Sequence, residues 1–372
     1  MNEFDIRDLK NIFGINSFYL KCFLGLVGSF LLTYISIPKI IKISYKKDLM
    51  ALPGERSSHN KRTPNLGGIA IFYSITIMSS ICAYELFSSY IFLFSSIIIL
   101  FFIGLMDDIL VVTPNKKLYA QIIASLMISI GSNVRIGSFF GIFGIETLPY
   151  GISIIFTVII FIFLINAYNL VDGIDGLASG IALLACCAFI FTFWRLGSIN
   201  YPMIVLALTI IGSLLAFLRF NFNKKYKIFM GDTGSMIIGF LLSFMGIKFL
   251  NLFLILSPFG TPIYHLQSAP VIVIAILIIP IIDTIGVFII RILKGNSPFR
   301  GDKNHMHHRY LRLGLDHKKV SLIMISENAL IILTAYFLRH IKVHLLLLII
   351  LTLGLIFSFL PLLITKSNKN KN

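Results

Sequence analysis

Acidic residues are few in this sequence, and several of them fall in four short segments that follow long apolar runs. The chain of 372 residues contains only 16 Asp and Glu residues. The four segments are GLMDDI (104–109), NAYNLVDGIDG (166–176), MGDTGS (230–235) and FRGDKNHMHHR (299–309). Ionisable side chains at the ends of apolar segments are costly and tend to face a cavity, a partner or a substrate. Four segments that share this pattern predict one polar site.

The residue types in these segments indicate a particular chemistry. Clustered carboxylates repel one another unless a cation neutralises them, and the oxygens of Asp and Asn suit Mg²⁺, which also takes water and substrate phosphates as ligands. Residues able to donate to phosphate lie close by in the sequence: Lys116, Lys117, Arg300, Lys303, His305, His307, His308 and Arg309. Glycines in the same segments allow the backbone to approach a ligand closely. The combination indicates phosphoryl transfer on a magnesium-bound phosphate compound.

Each motif also has a simpler explanation. Adjacent aspartates at a helix end are often only solvated, and MGDTGS by itself is a typical turn sequence. The HMHH run could bind zinc, but it lacks a fourth ligand at sensible spacing and its basic neighbours would repel a cation. Asp283, within IIPIIDTIG, is either a structural hydrogen-bonding residue or a deep residue of the site, and Glu327 is expected to make a polar helix contact.

Composition predicts an all-α polytopic membrane protein. The chain is 57% hydrophobic and 13% charged, with a mean hydropathy of +0.91, whereas soluble domains have about 25% charged residues. A membrane span needs about 20 mostly apolar residues, and eleven segments meet that criterion. They are 18–37, 66–87, 89–110, 118–134, 151–170, 174–194, 201–219, 235–254, 269–291, 321–338 and 343–364.

The distribution of Lys and Arg predicts how these spans are oriented. One set of alternate connections holds 24 of these residues and the other set holds 6. The positive-inside rule then places the N-terminus outside, and the C-terminus with its basic tail at 365–372 in the cytoplasm. All four acidic segments fall on the cytoplasmic face. The formal charge of +16 is explained by topology, so nucleic acid is not an expected partner.

The ordered motifs resemble those of the polyprenyl-phosphate N-acetylhexosamine-1-phosphate transferases, glycosyltransferase family 4, which includes MraY and WecA. The resemblance covers residues 52–315, within a single predicted transmembrane domain at 1–372. Its motifs in this sequence are RTPNLGG (62–68), GLMDD (104–108), NAYNLVDGIDGLA (166–178), GDTGS (231–235), PIIDT (280–284) and HMHHR (305–309). Eleven spans with an outside N-terminus resemble the WecA-type branch, and RTPNLGG differs from the TPTMGG typical of MraY.

The resemblance implies a reaction and a set of site residues. Members couple a UDP-sugar to a lipid phosphate in the inner leaflet of the plasma membrane, giving a polyprenyl diphosphate-sugar and UMP, with Mg²⁺ required and Mn²⁺ as a substitute. By motif position the metal ligands are Asn169 and Asp232; substrate contacts are Lys117 (lipid phosphate), Asp172, Asp175 (uracil), Arg300, His305, His307 and His308; the catalytic pair is Asp107 and Asp108. The pair is either a nucleophile or a positioning group. Because a phosphomonoester has a second pKa near ~6, the acceptor is already ionised, which favours direct attack.

Several alternatives stay open at this level. The donor is expected to be UDP-N-acetylglucosamine or a related N-acetylhexosamine, including fucosamine- or quinovosamine-type sugars, and the acceptor undecaprenyl phosphate, so that the product begins a cell-surface polysaccharide. Peptidoglycan synthesis through the muramyl-pentapeptide precursor is the alternative pathway, and a homodimer is left open. A transporter is disfavoured, because transporters place ionisable groups near the midplane of the bilayer and contain repeats.

Overall fold

Long apolar segments fold into helices because, in lipid, backbone N–H and C=O groups must be hydrogen-bonded within the chain. The computed structural model describes residues 17–50, 62–256, 268–293, 295 and 304–369. In chain order its α-helices are α1 Ser17–Lys46, α2 Gly67–Cys82, α3 Tyr84–Ser89, α4 Ile91–Leu110, α5 Pro114–Leu126, α6 Tyr150–Val171, α7 Leu177–Arg195, α8 Tyr201–Asn221, α9 Gly231–Leu256, α10 Ala269–Ile276, α11 Ile278–Leu293, α12 Met306–Leu311, α13 His317–Phe337 and α14 Val343–Lys369. The prediction of an all-α polytopic membrane protein is confirmed.

The number of spans differs from the sequence-based count of eleven. Within the described residues, eight helices are long and apolar enough to cross a membrane, and a ninth span is possible if α10 and α11 act together. The segments predicted at 66–87 and 118–134 contain only shorter helices, α2 and α5, and α5 continues as a π-helical turn, Met127–Gly131. Eleven spans and an outside N-terminus therefore remain predictions.

The span predicted at 269–291 is broken. Helices α10 and α11 meet at an angle of 76°, and Pro280 lies in the first turn of α11. Proline has no N–H to donate to the carbonyl four residues earlier, and its ring clashes with that carbonyl, so it commonly kinks a helix. The bend leaves Asp283 buried one turn beyond the break, with 1% of its surface exposed.

Helix α9 forms the centre of the molecule. In its apolar stretch 89% of the residues are buried, compared with 22% for each of the outer helices α1 and α14. It packs against α2, α4, α6 and α7. The amino end of α9, which carries the GDTGS motif, is therefore surrounded by other helices.

Three glycines allow the backbones to approach closely at this point. A Cβ atom on Gly68 of α2 would lie 2.2 Å from the backbone nitrogen of Gly234, and one on Gly104 of α4 would lie 2.6 Å from the Cα of Thr233. Small residues commonly permit such contacts between membrane helices. The helices α2 and α4 can therefore both reach the first turn of α9.

The RTPNLGG segment is joined to the same turn through backbone hydrogen bonds. The N–H of Phe229 donates to the carbonyl of Pro64 (2.8 Å), and the N–H of Gly68 donates to that of Met230 (2.8 Å). The RTPNLGG and GDTGS motifs, about 160 residues apart in the chain, are thus direct neighbours.

Candidate active site

Asp108, near the end of α4, accepts hydrogen bonds from the amino end of α9. One carboxylate oxygen accepts from the backbone N–H of Asp232 (2.8 Å), and the other accepts from the N–H and the hydroxyl of Thr233 (3.0 and 2.6 Å). The amide of Asn65 donates to the backbone carbonyl of Asp108 (3.0 Å). A carboxylate in this position satisfies otherwise unpaired helix N–H groups and complements the helix dipole. Asp108 therefore fixes α9 against α4.

Asp107 faces a different set of groups. Its carboxylate accepts a hydrogen bond from the N–H of Val112 (2.7 Å) and forms an ion pair with Lys117 of α5, with Nζ 3.2 Å from Oδ2. The same Lys117 amine contacts the carboxylate of Asp232. One ammonium group therefore lies between two carboxylates, at the point where α4 ends and α9 begins.

Asn169 joins this cluster from α6. Its amide donates to the carboxylate of Asp232 (2.9 Å) and to the hydroxyl of Ser235 (2.8 Å). The orientation of an amide is assigned from its hydrogen bonds, so its oxygen and nitrogen can exchange places when a cation is present. In the described residues no three His, Cys, Asp or Glu side chains are arranged to hold a metal ion. A magnesium–nucleotide site does not need such a cage, since Mg²⁺ usually keeps several waters and phosphate oxygens.

The two aspartates of the VDGIDG loop have opposite environments. Burial raises the pKa of Asp172 well above its usual range, and the charges of Asp232 and Asp108 add to that rise. Burial also raises the pKa of Asp175, but hydrogen bonds from His317 and Lys227 outweigh it and leave that pKa below its usual value. The charges of nearby carboxylates therefore act on Asp172, whereas Asp175 is paired with the basic side chains of Lys227 and His317.

Asp175 connects three parts of the chain. Its carboxylate oxygen lies 2.6 Å from Nζ of Lys227 and 3.3 Å from Nδ1 of His317, and its backbone carbonyl accepts from the hydroxyl of Ser321 (2.7 Å). These contacts attach the VDGIDG loop to the segment before α9 and to the start of α13. The predicted contact of Asp175 with uracil stays a prediction, and a nucleotide there would share this carboxylate with Lys227.

The HMHH segment is attached to the broken helix by Asp283. One oxygen of this buried carboxylate lies 2.8 Å from Nδ1 of His305, and the other accepts from the N–H of Met306 (2.6 Å). Because Nδ1 of His305 is hydrogen-bonded to Asp283, Nε2 is the ring nitrogen that remains for other contacts. The structure therefore shows the hydrogen-bonding role of Asp283, and a direct role in the site stays a prediction.

His307 brings the same segment against the VDGIDG loop. Its Nε2 is so close to Gly173 that a Cβ atom there would lie 2.5 Å away. Its Nδ1 is buried without a hydrogen-bond partner. Burial lowers the pKa of His307 to about 3, so this ring is neutral near pH 7. His307 is therefore neutral in this arrangement, and its predicted contact with the substrate stays a prediction.

The short helix α12 is held on two further sides. Arg309 donates to the backbone carbonyls of Asn304 (2.7 Å) and Ser358 (2.8 Å), and the hydroxyl of Tyr310 donates to the carboxylate of Glu327. Arg309 is one of the residues predicted to donate hydrogen bonds to phosphate. In the structure its guanidinium donates to these backbone carbonyls instead. Glu327 makes the polar helix contact that was predicted for it. His308 is half-buried, with its ring centroid 4.3 Å from that of His307.

Most of the predicted site residues come together at one end of the helices. Arg300 and the neighbouring Lys303 lie outside the described residues. The sequence reading did not assign roles to Asn65, Ser235, Lys227 and His317, which hold Asp108, Asn169 and Asp175 in place. Asn65 and Ser235 lie within quoted motifs and could have been found from them, whereas Lys227 and His317 carry no local signal because their partner is 52 and 142 residues away.

Comparison with known proteins identifies the family of this chain. The profile of glycosyl transferase family 4 matches residues 90–250. The chain is 31% identical to the decaprenyl-phosphate N-acetylglucosaminephosphotransferase of Mycobacterium tuberculosis over 81% of its own length and 79% of that protein. It is 30% identical to the Mycobacterium leprae protein of the same name, over 81% and 80% of the two chains. The chain belongs to glycosyl transferase family 4.

A more distant relative in glycosyl transferase family 4 has a similar name. The undecaprenyl-phosphate alpha-N-acetylglucosaminyl 1-phosphate transferase of Salmonella typhi is 27% identical over 82% of this chain and 81% of that protein. The residues matched by the family profile include Asp107, Asp108, Lys117, Asn169 and Asp232. The residues that form the cluster at the amino end of α9 therefore lie in the part of the chain that the family shares.

Proposed function

We propose that this protein transfers N-acetylglucosamine 1-phosphate from UDP-N-acetylglucosamine to a polyprenyl phosphate, giving polyprenyl diphosphate-N-acetylglucosamine and UMP. The reaction takes place at the cytoplasmic face of the plasma membrane and begins the synthesis of a surface polysaccharide. The names of the relatives support the sugar and the lipid phosphate acceptor. A UDP-linked donor and the inner-leaflet location are expectations from the family and from the charge distribution.

The contact of Lys117 with both Asp107 and Asp232 is the observation that carries this proposal. An ammonium group held between carboxylates at the end of membrane helices is well placed for a lipid phosphate, whose chain stays in the bilayer while its headgroup reaches the surface. The Lys117 and Asp232 side chains are only 18% and 27% exposed. A phosphate that replaces part of this contact would meet a cation with little competition from water.

The cluster is also suited to magnesium. Asp232 and Asn169 would hold the ion, which would neutralise the diphosphate of the donor and polarise the bond that breaks. Charge supports this fit, because the cluster brings the carboxylates of Asp107, Asp108 and Asp232 together around the ammonium group of Lys117, which leaves an excess of negative charge among these four side chains. A divalent cation together with the Lys117 amine would offset that excess.

The arrangement favours direct attack over a covalent intermediate. An oxygen of the lipid phosphate forms a bond to the β-phosphorus of the donor, and the bond from that phosphorus to the bridging oxygen breaks, releasing UMP. Lys117 binds the acceptor phosphate, and Asp107 orients Lys117 through their ion pair. Asp108 already accepts three hydrogen bonds from the first turn of α9, so it is poorly placed to act as a nucleophile.

The donor sugar is tested by supplying labelled UDP-N-acetylglucosamine, UDP-N-acetylgalactosamine and UDP-N-acetylmuramoyl-pentapeptide separately to membranes that contain the protein. Label from the first should enter a lipid fraction in an Mg²⁺-dependent reaction. Transfer of only the pentapeptide precursor would overturn the proposed function and assign the protein to peptidoglycan synthesis. Membranes with Asp232→Ala serve as the control for endogenous transferases.

The mechanism is tested with purified enzyme and no lipid. Direct attack requires the acceptor, so UDP-sugar alone should release no UMP, and labelled UMP should not exchange into UDP-sugar. Lys117→Ala should raise the KM for polyprenyl phosphate by roughly 10- to 150-fold, equivalent to about 1.5–3 kcal/mol for a lost charge-assisted contact, with a much smaller effect on the KM for UDP-sugar. A stoichiometric burst of UMP, or a phosphosugar trapped on Asp107, would establish the two-step route instead.

A further inference from the structure

An apolar groove opens between α7 and α13 at the end of the helices away from the candidate active site. Both helices begin near the active-site loops, at Leu177 and His317, and run away from them. The groove has a volume of about 550 Å³. Its lining residues are Leu184, Ala188, Phe191, Arg195, Ala329, Ile332, Leu333, Tyr336, Phe337 and Arg339. On the outer rim, Phe191, Leu333 and Phe337 are 54%, 53% and 78% exposed, so the groove is open towards the surrounding lipid.

The two helices that line the groove contact each other at two levels. Near the site, Gly180 lets α13 approach, since a Cβ atom there would lie 2.2 Å from the Cδ1 atom of Ile325. Towards the far end the facing residues are Phe191 and Tyr336, whose rings meet edge to face with centroids 5.5 Å apart. The hydroxyl of Tyr336 is also hydrogen-bonded to Thr192. These contacts hold α7 and α13 together beside the groove.

The groove has the length of one leaflet. Arg195 lies eleven residues after Leu184 on α7, which corresponds to about 16 Å at a rise of about 1.5 Å per residue. The hydrocarbon core of a bilayer is about 30 Å thick. The groove therefore extends from near the middle of the membrane to the headgroup region on the face opposite the site.

Positive charge is concentrated at the headgroup end. Arg195 and Arg339 both line the groove, and the ten lining residues include no Asp or Glu. Arg339 is held at the mouth by a hydrogen bond from its guanidinium to the backbone carbonyl of Tyr336 (2.6 Å). The connections predicted for this face contain only six Lys and Arg residues in total, and two of them line this groove. Guanidinium groups bind phosphate oxygens through paired hydrogen bonds.

We propose that this groove binds a phospholipid with a net negative headgroup from the leaflet opposite the active site. One acyl chain lies along the apolar lining between α7 and α13, and the phosphate contacts Arg195 and Arg339. The bound lipid fills the groove beside Phe191 and Tyr336 and so stabilises the packing of α13 on α7. This site is independent of the proposed transferase reaction, and its test uses no measurement of activity.

The test compares phosphatidylglycerol with phosphatidylcholine on the purified full chain, using native mass spectrometry for retained lipid and Tm for stability. Phosphatidylglycerol should be retained more strongly and raise Tm more. Arg195→Gln and Arg339→Gln should each weaken its retention by about tenfold, the loss of a charge-assisted contact. Lys342→Gln is the matched control, because Lys342 is an exposed cation just beyond Arg339 that does not line the groove. It should leave retention unchanged.

A second variant tests the groove without changing charge. Ala329→Phe fills the apolar channel and should abolish preferential retention of phosphatidylglycerol while both arginines remain. The proposal is overturned if wild-type protein retains the two lipids equally, or if Lys342→Gln weakens retention as much as Arg195→Gln. A dimer that is lost on Phe337→Ser, with lipid retention unaffected by the arginine variants, would show that the groove binds a second copy of the chain instead.

Discussion

Successive residues of an α-helix point about 100° apart, so the adjacent Asp107 and Asp108 face different parts of the molecule. Asp108 accepts hydrogen bonds from the first turn of α9, whereas Asp107 pairs with Lys117. Their substitution should therefore have different effects. The sequence alone does not distinguish the two aspartates. In the structure, Asp108 mainly positions α9, and Asp107 belongs to the charged cluster around Lys117.

Asp108→Ala should lower Tm, because it leaves the N–H groups of Asp232 and Thr233 without their acceptor, and each such loss costs about 1–3 kcal/mol. Asp107→Asn should keep Tm close to wild type and lower kcat strongly. Thermal denaturation and transfer assays on both variants check this. An Asp107→Asn protein that is less stable than Asp108→Ala would contradict the assignment.

The expected magnesium ligands, Asp232 and Asn169, can be tested by single substitutions. Asp232→Asn removes the anionic ligand and should nearly abolish transfer while the protein remains folded. Asn169→Ala removes a neutral ligand, so its activity should be recovered in part at higher Mg²⁺, and Mn²⁺ should substitute. Activity is measured across an Mg²⁺ titration. Activity of Asp232→Asn near that of wild type at limiting Mg²⁺ would show that this carboxylate does not hold the ion.

At the scale of elements, the position of α12 depends on two buried acids that contact it from different helices. Asp283 of α11 contacts His305 and the N–H of Met306 at the start of α12, and Glu327 of α13 accepts from Tyr310 near its end. Only the first of these contacts involves a predicted substrate-binding residue. Substitutions at Asp283 and at Glu327 can therefore distinguish an effect on the position of the histidines from an effect on the packing of α12.

Asp283→Asn should lower kcat/KM for the UDP-sugar by about tenfold or more, because the amide replaces a charged acceptor by a group that can donate to Nδ1 of His305 and change its tautomer. Glu327→Gln keeps an acceptor for Tyr310 and should have a small effect. Kinetics and Tm are measured for both. Equal losses of activity that follow equal losses of Tm would show that Asp283 only stabilises the fold.

The close approach of α2 and α9 gives a second prediction for elements. Gly68→Ala places a Cβ atom against the backbone of Gly234, so the two helices must move apart and the cluster at the start of α9 must distort. Tm and activity should both fall. Gly151→Ala, in the first turn of α6, is the control, because its Cβ meets nothing within 4 Å and alanine favours helix. A Gly68→Ala protein as stable and active as Gly151→Ala would rule out close packing at this position.

For the whole molecule, the predicted orientation can be tested independently of the reaction. The acidic cluster and the start of α13 lie at one end of the helices, and the loop around residue 145 follows α5 towards the other. Reporters fused after residues 60 and 305 should be cytoplasmic, and reporters at 145 and 262 should be outside. A cytoplasmic signal at 145 would reverse the orientation derived from the Lys and Arg counts.

Much of the architecture follows from composition and length. Eight of the predicted spans correspond to long apolar helices, because burying backbone polar groups in lipid leaves a helix as the available structure for such a segment. The acidic residues at the ends of the predicted spans also indicated which segments come together in space. Hydropathy measures how apolar a segment is, and it does not show where a helix ends or bends. It therefore could not predict the short lengths of α2 and α5 or the 76° bend between α10 and α11.

The sequence by itself determined the membrane class, the motifs and the residue types of the site, since these depend on the chemistry of individual side chains. Only the tertiary structure decided which of these side chains act together. Lys117 contacts Asp232, 115 residues away, and Asp175 is neutralised by Lys227 and His317 from later segments. Such pairings depend on which helix ends meet in space, and the close contacts of Gly68 and Gly104 with α9 make that meeting possible.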